Sequence, residues 1–140
     1  MTSRPVMARL IQKSVAGHIP LNVHLDLTYR CNERCVHCYL DHEDYGELGT
    51  AEVKRILEQL AHAGTLFLTF SGGEIFLRRD FFELAAYARQ LHFDLSLKTN
   101  GILIDAARVQ KLKALGIHKV QISIYSADTE VHDAITKVRG

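Results

Sequence analysis

The sequence predicts an α/β fold with a parallel sheet, because short β-rich segments alternate along the chain with amphipathic helical segments. The 140 residues are 47% hydrophobic and 24% charged and include only two prolines, which is typical of one globular domain. Connections of the β-α-β type between successive strands are almost always right-handed, so four predicted strands would lie side by side. About four βα units are therefore expected, arranged as an open arc of barrel-like order.

The first strand and helix are predicted from hydrophobic periodicity. Residues 22–28 alternate apolar and polar side chains, as a half-buried strand does. From Thr50, interpreted as the N-cap, apolar residues recur at helical spacing as far as Gly64, a glycine stop. The recurring residues are Val53, Ile56, Leu57, Leu60 and Ala61. Residues 1–20 carry only a weak helical pattern and are interpreted as an N-terminal extension.

A second strand and helix follow, joined by a glycine loop. Residues 65–70 are β-rich and end in the sequence Ser71-Gly72-Gly73. Asp80 and Glu83 form a capping-box pattern just before the next apolar repeat. The sequence therefore predicts a helix that begins close to Asp80.

The same succession occurs a third time, and a fourth strand ends the series. Residues 93–97 lead into Thr99-Asn100-Gly101, and Asp105 precedes a helical repeat that stops at Gly116. Residues 117–125 are the fourth predicted strand. Four parallel strands leave an unpaired edge, so we expect self-association through that edge.

Charge and hydropathy exclude two classes of partner. The formal net charge of +1 provides no broad basic face for nucleic acid. No apolar run approaches the roughly 20 residues that span a bilayer, and the first 20 residues lack a secretory signal. We therefore expect a cytoplasmic protein that binds neither nucleic acid nor membrane.

Three cysteines lie within eight residues, directly after the first predicted strand. Cys31, Cys35 and Cys38 are spaced x3 and x2, and an odd, crowded set is unlike a disulfide framework. Three soft thiolates on one loop can hold three corners of a cubane iron–sulfur cluster, and the fourth iron would lack a cysteine. The alternative is a structural Cys3His zinc site completed by His37 or His42.

Polar and glycine residues also follow the other predicted strands. Gly72 and Gly73 would let a ligand approach the backbone, and Glu74 could accept hydrogen bonds from an ammonium group. Asn100 ends the third strand and Ser123 lies near the end of the fourth. Because loops at the carboxyl ends of parallel strands build active sites, we expect these residues and the cysteines to share one rim.

The cysteine loop, followed by Ser71-Gly72-Gly73-Glu74 after the second strand, resembles the radical S-adenosylmethionine (SAM) superfamily over residues 21–140. The resemblance implies a partial TIM-like barrel, here an apparently truncated radical SAM core domain. It also implies two cofactors, a [4Fe-4S] cluster held by Cys31, Cys35 and Cys38, and SAM itself. The reduced cluster would cleave SAM to a 5′-deoxyadenosyl radical, which abstracts a substrate hydrogen.

The resemblance also implies roles for individual residues. The Gly72, Gly73 and Glu74 segment would bind the SAM amino group, and Asn100 and Ser123 would face its ribose or methionine portion. His37 stands where relatives commonly place an aromatic side chain beside the adenine, and Tyr39 is the nearest aromatic substitute.

The last 15 residues resemble peptide-modifying members that carry a C-terminal auxiliary-cluster (SPASM-type) domain. A peptide or protein substrate is thus implied, with flavodoxin or ferredoxin as the electron donor. Some relatives have an arginine near the SAM carboxylate where this chain has Thr136, so that role is not transferred. The alternatives are a radical SAM enzyme of tetrapyrrole or cofactor biosynthesis, and a non-catalytic zinc-binding interaction module.

Overall fold

Strands and helices alternate through the part of the chain that the structure, a computed structural model, describes: residues 5–43 and 45–139. The helices are α1 (Val6–Ala16), α2 (Thr50–Ala63), α3 (Phe81–Gln90), α4 (Ala106–Ala114) and α5 (Thr129–Thr136). The strands are β1 (Asn22–Asp26), β2 (Phe67–Ser71), β3 (Asp94–Thr99) and β4 (Lys119–Ile122). A short 3-10 helix, Ile75–Leu77, lies between β2 and α3 and has no counterpart in the sequence prediction. In these residues no helix is long and apolar enough to cross a membrane.

The four strands form one parallel sheet in the order β1-β2-β3-β4. Because each strand pairs with the next one in the chain, the order is that of a (βα) barrel, and the sheet is not closed. The predicted α/β class and partial barrel are confirmed. At the end of β4 and directly after it, the chain exposes Ile122, Ile124 and Tyr125. Self-association through this edge stays a prediction.

The two faces of the sheet differ in chemistry. One face packs against the helices and supplies fully or almost fully buried side chains from its two central strands, namely Leu68, Phe70, Leu95 and Leu97. Side chains alternate between the faces of a strand, so residues of the other parity face the concave side of the arc. The cluster-loop cysteines lie on that second side, as described below.

Several predicted boundaries shift by a few residues. Thr50 is the first residue of α2 and Gly49 is its N-cap, where the Glu52 carboxylate accepts a hydrogen bond from the Gly49 amide at 2.8 Å. The Thr50 hydroxyl instead donates to Asp80 at 2.8 Å, which joins the start of α2 to the start of α3. Gly64 does end α2, in the left-handed conformation that a glycine adopts without strain.

The capping box predicted from Asp80 and Glu83 is wrong. The Asp80 carboxylate makes no capping bond, because it accepts hydrogen bonds from the Arg78 guanidinium at 2.6 and 2.9 Å. Glu83 pairs with Lys54 of α2 at 2.6 Å. Arg78 is 6% exposed and also donates to the carbonyl oxygen of Leu27 at 2.8 Å. The Arg78 side chain therefore connects the start of α3 to the residue that follows β1.

This ion pair predicts a dependence of stability on pH. Hydrogen bonds from Arg78 hold the pKa of the Asp80 carboxyl below its usual range. Its folded-state pKa is then lower than the unfolded value of about 3.9, so the stabilisation is present above about pH 4 and is lost as the pH falls through the folded pKa. We expect Asp80→Asn to flatten the acid limb of the unfolding free energy, measured with urea between about pH 2.5 and 7. An acid limb as steep as that of the wild type would contradict this account.

Candidate active site

The cysteine loop begins soon after β1 and is held from several sides. Cys31, Cys35 and Cys38 are unbridged and half-buried. The amides of Arg34 and Val36 donate to carbonyl oxygens at the end of α5, those of Thr136 and Ile135, at 3.0 and 2.9 Å. Helix C-termini leave such carbonyls unpaired, so α5 is a ready partner for the loop. The segment that resembled peptide-modifying relatives thus contributes directly to the position of the cysteines.

Gly72 and Gly73 are required by packing between two loops. The Gly73 amide donates to the Thr28 carbonyl oxygen at 2.7 Å, and the Glu74 amide donates to that of Arg30 at 2.8 Å. A Cβ added at Gly72 would lie 2.3 Å from the Thr28 oxygen, and one at Gly73 would lie 2.2 Å from the Arg30 oxygen. The two glycines therefore make room for the backbone that leads into the cysteines. The approach of a ligand to them stays a prediction.

The Glu74 side chain is fully buried and is already saturated with donors. Its carboxylate accepts hydrogen bonds from the Phe76 amide at 3.0 Å, the Asn100 amide at 2.9 Å and the Thr99 hydroxyl at 2.8 Å. These contacts join the end of β2 to the end of β3. The carboxylate thus fixes the Thr99–Asn100 turn, and its contact with an ammonium group stays a prediction.

Asn100 is likewise engaged with the cysteine loop. Its side-chain amide donates to the side-chain oxygen of Asn32 at 2.7 Å, and its own oxygen accepts from the Ile102 amide at 3.1 Å. Asn32 lies between Cys31 and Cys35, so the end of β3 is tethered to the loop that carries the thiols.

His37 meets an aromatic partner from beyond β4. Its Nε2 lies 3.0 Å from the Tyr125 hydroxyl, and the two ring centroids are 4.7 Å apart in an edge-on arrangement. The Tyr39 hydroxyl, by contrast, donates to Asp26 on β1 at 3.0 Å. His37 therefore points towards β4 and Tyr39 towards β1, on opposite sides of the third cysteine.

One cleft of about 240 Å³ brings the predicted site residues together. It lies at the carboxyl ends of the strands, as expected for an active site on a parallel sheet. Of the nine predicted residues, the lining includes Cys31, Cys35, His37, Cys38, Gly72, Gly73, Asn100 and Ser123. Glu74 is absent from the lining because it is buried beneath it. The individual contacts of these residues with SAM stay predictions.

The thiols sit beside a buried carboxylate. Glu33 is 4% exposed, and its Oε2 accepts a hydrogen bond from the Cys35 Sγ at 3.4 Å. Burial, reinforced by Glu33, raises the pKa of Cys35 to about 11, and burial also raises the pKa of Cys31. Without metal, the thiols of Cys31 and Cys35 are therefore protonated at neutral pH. Binding of iron by these two residues would release the protons, because thiolates are the metal ligands.

Sequence reasoning missed Asn32, Glu33 and Tyr125 as parts of the site. Asn32 and Glu33 lie between Cys31 and Cys35. Their position inside a metal-binding loop could have indicated that they orient it. Nothing local indicates Tyr125, since its contact with His37 joins residues 88 positions apart.

The donor set of this site fits a cubane cluster better than a single ion. In residues 5–43 and 45–139, no group of three or more His, Cys, Asp or Glu side chains is arranged so that it could hold one metal ion. A cubane binds its thiolates at separate irons, so the three cysteines need not converge on one point. Three soft donors on one loop, beside an open polar cleft, match a cluster with one free coordination position.

Together, an open parallel (βα) arc and a three-cysteine loop at its carboxyl rim define a class of iron–sulfur enzyme domains. A family model described as "Radical SAM superfamily" matches residues 25–139. The chain belongs to the radical SAM superfamily, whose cofactors are a [4Fe-4S] cluster and SAM. Membership decides against the zinc-binding interaction module.

Two proteins of similar sequence support membership in the same superfamily. The chain is 40% identical over 118 residues to "Fe-coproporphyrin III synthase" of Methanosarcina barkeri, covering 82% of this chain and 29% of that protein. It is 36% identical over 138 residues to "Mycofactocin maturase MftC" of Mycolicibacterium smegmatis, covering 96% and 35%. The chain thus spans about a third of the length of these relatives.

A solved structure has the same fold. The structure of Streptococcus suis SuiB bound to S-adenosylmethionine superimposes with a TM-score of 0.73 and 23% identity. The match covers 94% of this chain and 30% of SuiB.

Proposed function

We propose that this chain is the SAM-activating part of a radical SAM enzyme that modifies a peptide or protein side chain. The observation that carries the proposal is the loop of Cys31, Cys35 and Cys38, which opens onto a cleft at the carboxyl rim of the sheet. When bound, the reduced cluster supplies the electron that cleaves SAM to a 5′-deoxyadenosyl radical.

The residues of the chain hold and orient the reactants rather than transfer protons. The thiolates of Cys31, Cys35 and Cys38 would hold the cluster through three of its irons, and the fourth would be available to SAM. Asn32, Asn100 and Glu74 hold the loop and the end of β3 in a fixed relation. Ser123 and His37 supply polar and aromatic contacts in the same cleft. Such positioning is the protein's contribution when the cofactor performs the chemistry.

The choice of a peptide substrate rests on the C-terminal segment. Residues 126–140 resemble peptide-modifying members, and the match to the mycofactocin maturase covers 96% of this chain. SuiB, which shares the fold, has been crystallised with its precursor peptide SuiA. We further propose a cytoplasmic enzyme that receives electrons from flavodoxin or ferredoxin, because radical SAM relatives use such donors.

A second candidate is a radical SAM enzyme that acts on a tetrapyrrole. The 40% identity to the Fe-coproporphyrin III synthase favours it. The two candidates share SAM activation and differ only in the substrate.

We expect Cys35→Ala to abolish cluster binding and SAM cleavage. The variant removes one of three thiolates, and no fourth cysteine is present in the sequence to replace it. Anaerobic reconstitution with iron and sulfide should give the wild type a broad absorbance near roughly 400 nm and an electron spin resonance signal that SAM perturbs. Chromatographic detection of 5′-deoxyadenosine after reduction with dithionite measures cleavage.

His42→Ala is the matched control, because His42 was the alternative ligand of a Cys3His zinc site. It should take up the full cluster and cleave SAM as the wild type does. Full cluster uptake by Cys35→Ala, or stoichiometric zinc in the purified wild type, would contradict the proposal.

A further inference from the structure

The concave face of the sheet is polar, unlike the interior of a closed barrel. Interiors of closed (βα) barrels are filled mainly with Val, Ile and Leu side chains. Here Asp26 and Ser71, the last residues of β1 and β2, pair in register, and so do Lys98 and Gln121, the next-to-last residues of β3 and β4. The side chains of these four residues lie on the face of the sheet that is turned away from the helices. His24, Thr69 and Ser96 lie on the same face. The face is therefore suited to contact a polar ligand rather than to pack a core.

Lys98 lies on this polar face and forms no ion pair with the described residues. It is exposed, it lines the same cleft as the three cysteines, and in the described residues no carboxylate lies within 4.0 Å of its Nζ. Lys119, the other lysine of the sheet, pairs with Asp94 at 2.5 Å.

The carboxylates close to the cleft already contact other groups of the protein. Glu33 is buried against Cys35, and Glu74 is buried among its three donors. Asp26 accepts the Tyr39 hydroxyl at 3.0 Å and lies 3.9 Å from His24 Nε2. Within residues 5–43 and 45–139, no carboxylate therefore neutralises the positive charge of Lys98, and a ligand anion in the cleft could pair with it.

Lys98 is the next-to-last residue of β3, so it lies within the sheet, whereas Asn100 follows the strand. Asn100 and Ser123, which are predicted to face SAM, both lie past the ends of their strands. A group that reaches Lys98 would thus belong to a molecule that extends from the rim into the arc, which is the place of a substrate.

We propose that Lys98 binds a carboxylate of the substrate and so helps to select carboxylate-bearing molecules. The inference rests on the proposed function, because it assigns the substrate side of the same cleft. The shared chemistry is the carboxylate, which a peptide C-terminus or side chain could supply and which a tetrapyrrole could supply equally.

The test measures binding of paired probes to the anaerobically reconstituted chain in the presence of SAM. One pair is metal-free coproporphyrin III, a fluorescent tetracarboxylate, and its neutral tetramethyl ester. The other is the peptide N-acetyl-Ala-Ala-Phe with a free carboxylate and its C-terminal amide, measured by equilibrium dialysis. Variants are Lys98→Gln and Lys98→Arg, with Lys113→Gln on α4 as the control for net charge.

We expect at least one free carboxylate to bind more tightly than its neutral counterpart, and Lys98→Gln to weaken that binding about tenfold, as for one charge-assisted hydrogen bond. Lys98→Arg should retain most of the affinity, and Lys113→Gln all of it. Whichever probe pair responds identifies the source of the carboxylate.

Three results would overturn the inference. The first is that the wild type binds neither carboxylate probe, the second is that it binds the neutral probes as tightly as the carboxylate probes, and the third is that Lys98→Gln binds the carboxylate probes as tightly as the wild type does. Loss of SAM binding in Lys98→Gln without a change for the probes would instead assign the lysine to the cofactor, and would also overturn it. The proposed function is tested separately by 5′-deoxyadenosine formation, so carboxylate binding without SAM cleavage would refute that function and leave the role of Lys98 standing.

Discussion

Gly73→Ala should reduce cluster incorporation by roughly tenfold to a hundredfold. The new Cβ would lie 2.2 Å from the Arg30 carbonyl oxygen and 3.0 Å from that of Tyr29, and both atoms belong to rigid backbone. The segment that leads into Cys31 must therefore move. Overpacking of this kind costs about 1–3 kcal/mol, and each 1.4 kcal/mol corresponds to about a factor of ten. Iron and sulfide per chain after reconstitution measure the effect.

Gly49→Ala is the matched control for this prediction. Gly49 has a φ of −68°, which any residue adopts, and its added Cβ meets only the end of the Glu52 side chain at 3.5 Å. It should incorporate the cluster normally. Normal incorporation by Gly73→Ala, with SAM binding lost, would mean that the glycine serves the ligand and not the packing of the two loops.

Glu74→Gln should destabilise the fold as well as the site. The carboxylate accepts hydrogen bonds from three donors in a fully buried position, and an amide nitrogen in place of one oxygen would face a donor. Loss of a hydrogen bond to a charged group costs about 1.5–3 kcal/mol, so the free energy of unfolding should fall by at least about that amount. Urea unfolding measures it, and iron content after reconstitution should fall in parallel.

Two variants separate a positioning role from direct contact with SAM. Thr99→Val removes the hydroxyl that donates to Glu74, at 2.8 and 2.9 Å to its two oxygens, and should show a smaller loss of the same kind. Glu83→Gln, at an exposed ion pair with Lys54, should change stability by less than about 1 kcal/mol. If Glu74→Gln kept wild-type stability and lost SAM affinity, its side chain would be a ligand contact after all.

Periodicity predicted the order of strands and helices because each element has a marked apolar pattern. Gly64 and Asp105 end α2 and begin α4 as their sequence signals indicated. Predictions failed where a side chain found a partner other than the one that its sequence pattern indicated. Asp80 looked like a cap, yet the Arg78 guanidinium binds its carboxylate more strongly than backbone amides would. The 3-10 turn after Glu74 was not predicted because a buried carboxylate, not a local propensity, organises it.

In the candidate site, too, some features could be predicted from local pattern and others could not. The positions of Cys31, Cys35 and Cys38 on a loop after a strand could be inferred from spacing, since thiolate chemistry at that spacing has few uses. The partners that fix the loop could not be inferred, because Thr136, Ile135 and Asn100 reach it only after the chain has folded.

Local sequence pattern was enough to predict the α/β class and the strand order, and the chemistry of three closely spaced thiols was enough to make Cys31, Cys35 and Cys38 the candidate metal ligands. The contacts of the neighbouring residues came from the folded structure. It placed Gly72 and Gly73 against the backbone of the preceding loop, buried Glu74 among donors, and left Lys98 on the polar face with no ion-pair partner among the described residues. These roles depend on distances between segments that are far apart in the chain, and such distances are set by packing rather than by sequence pattern.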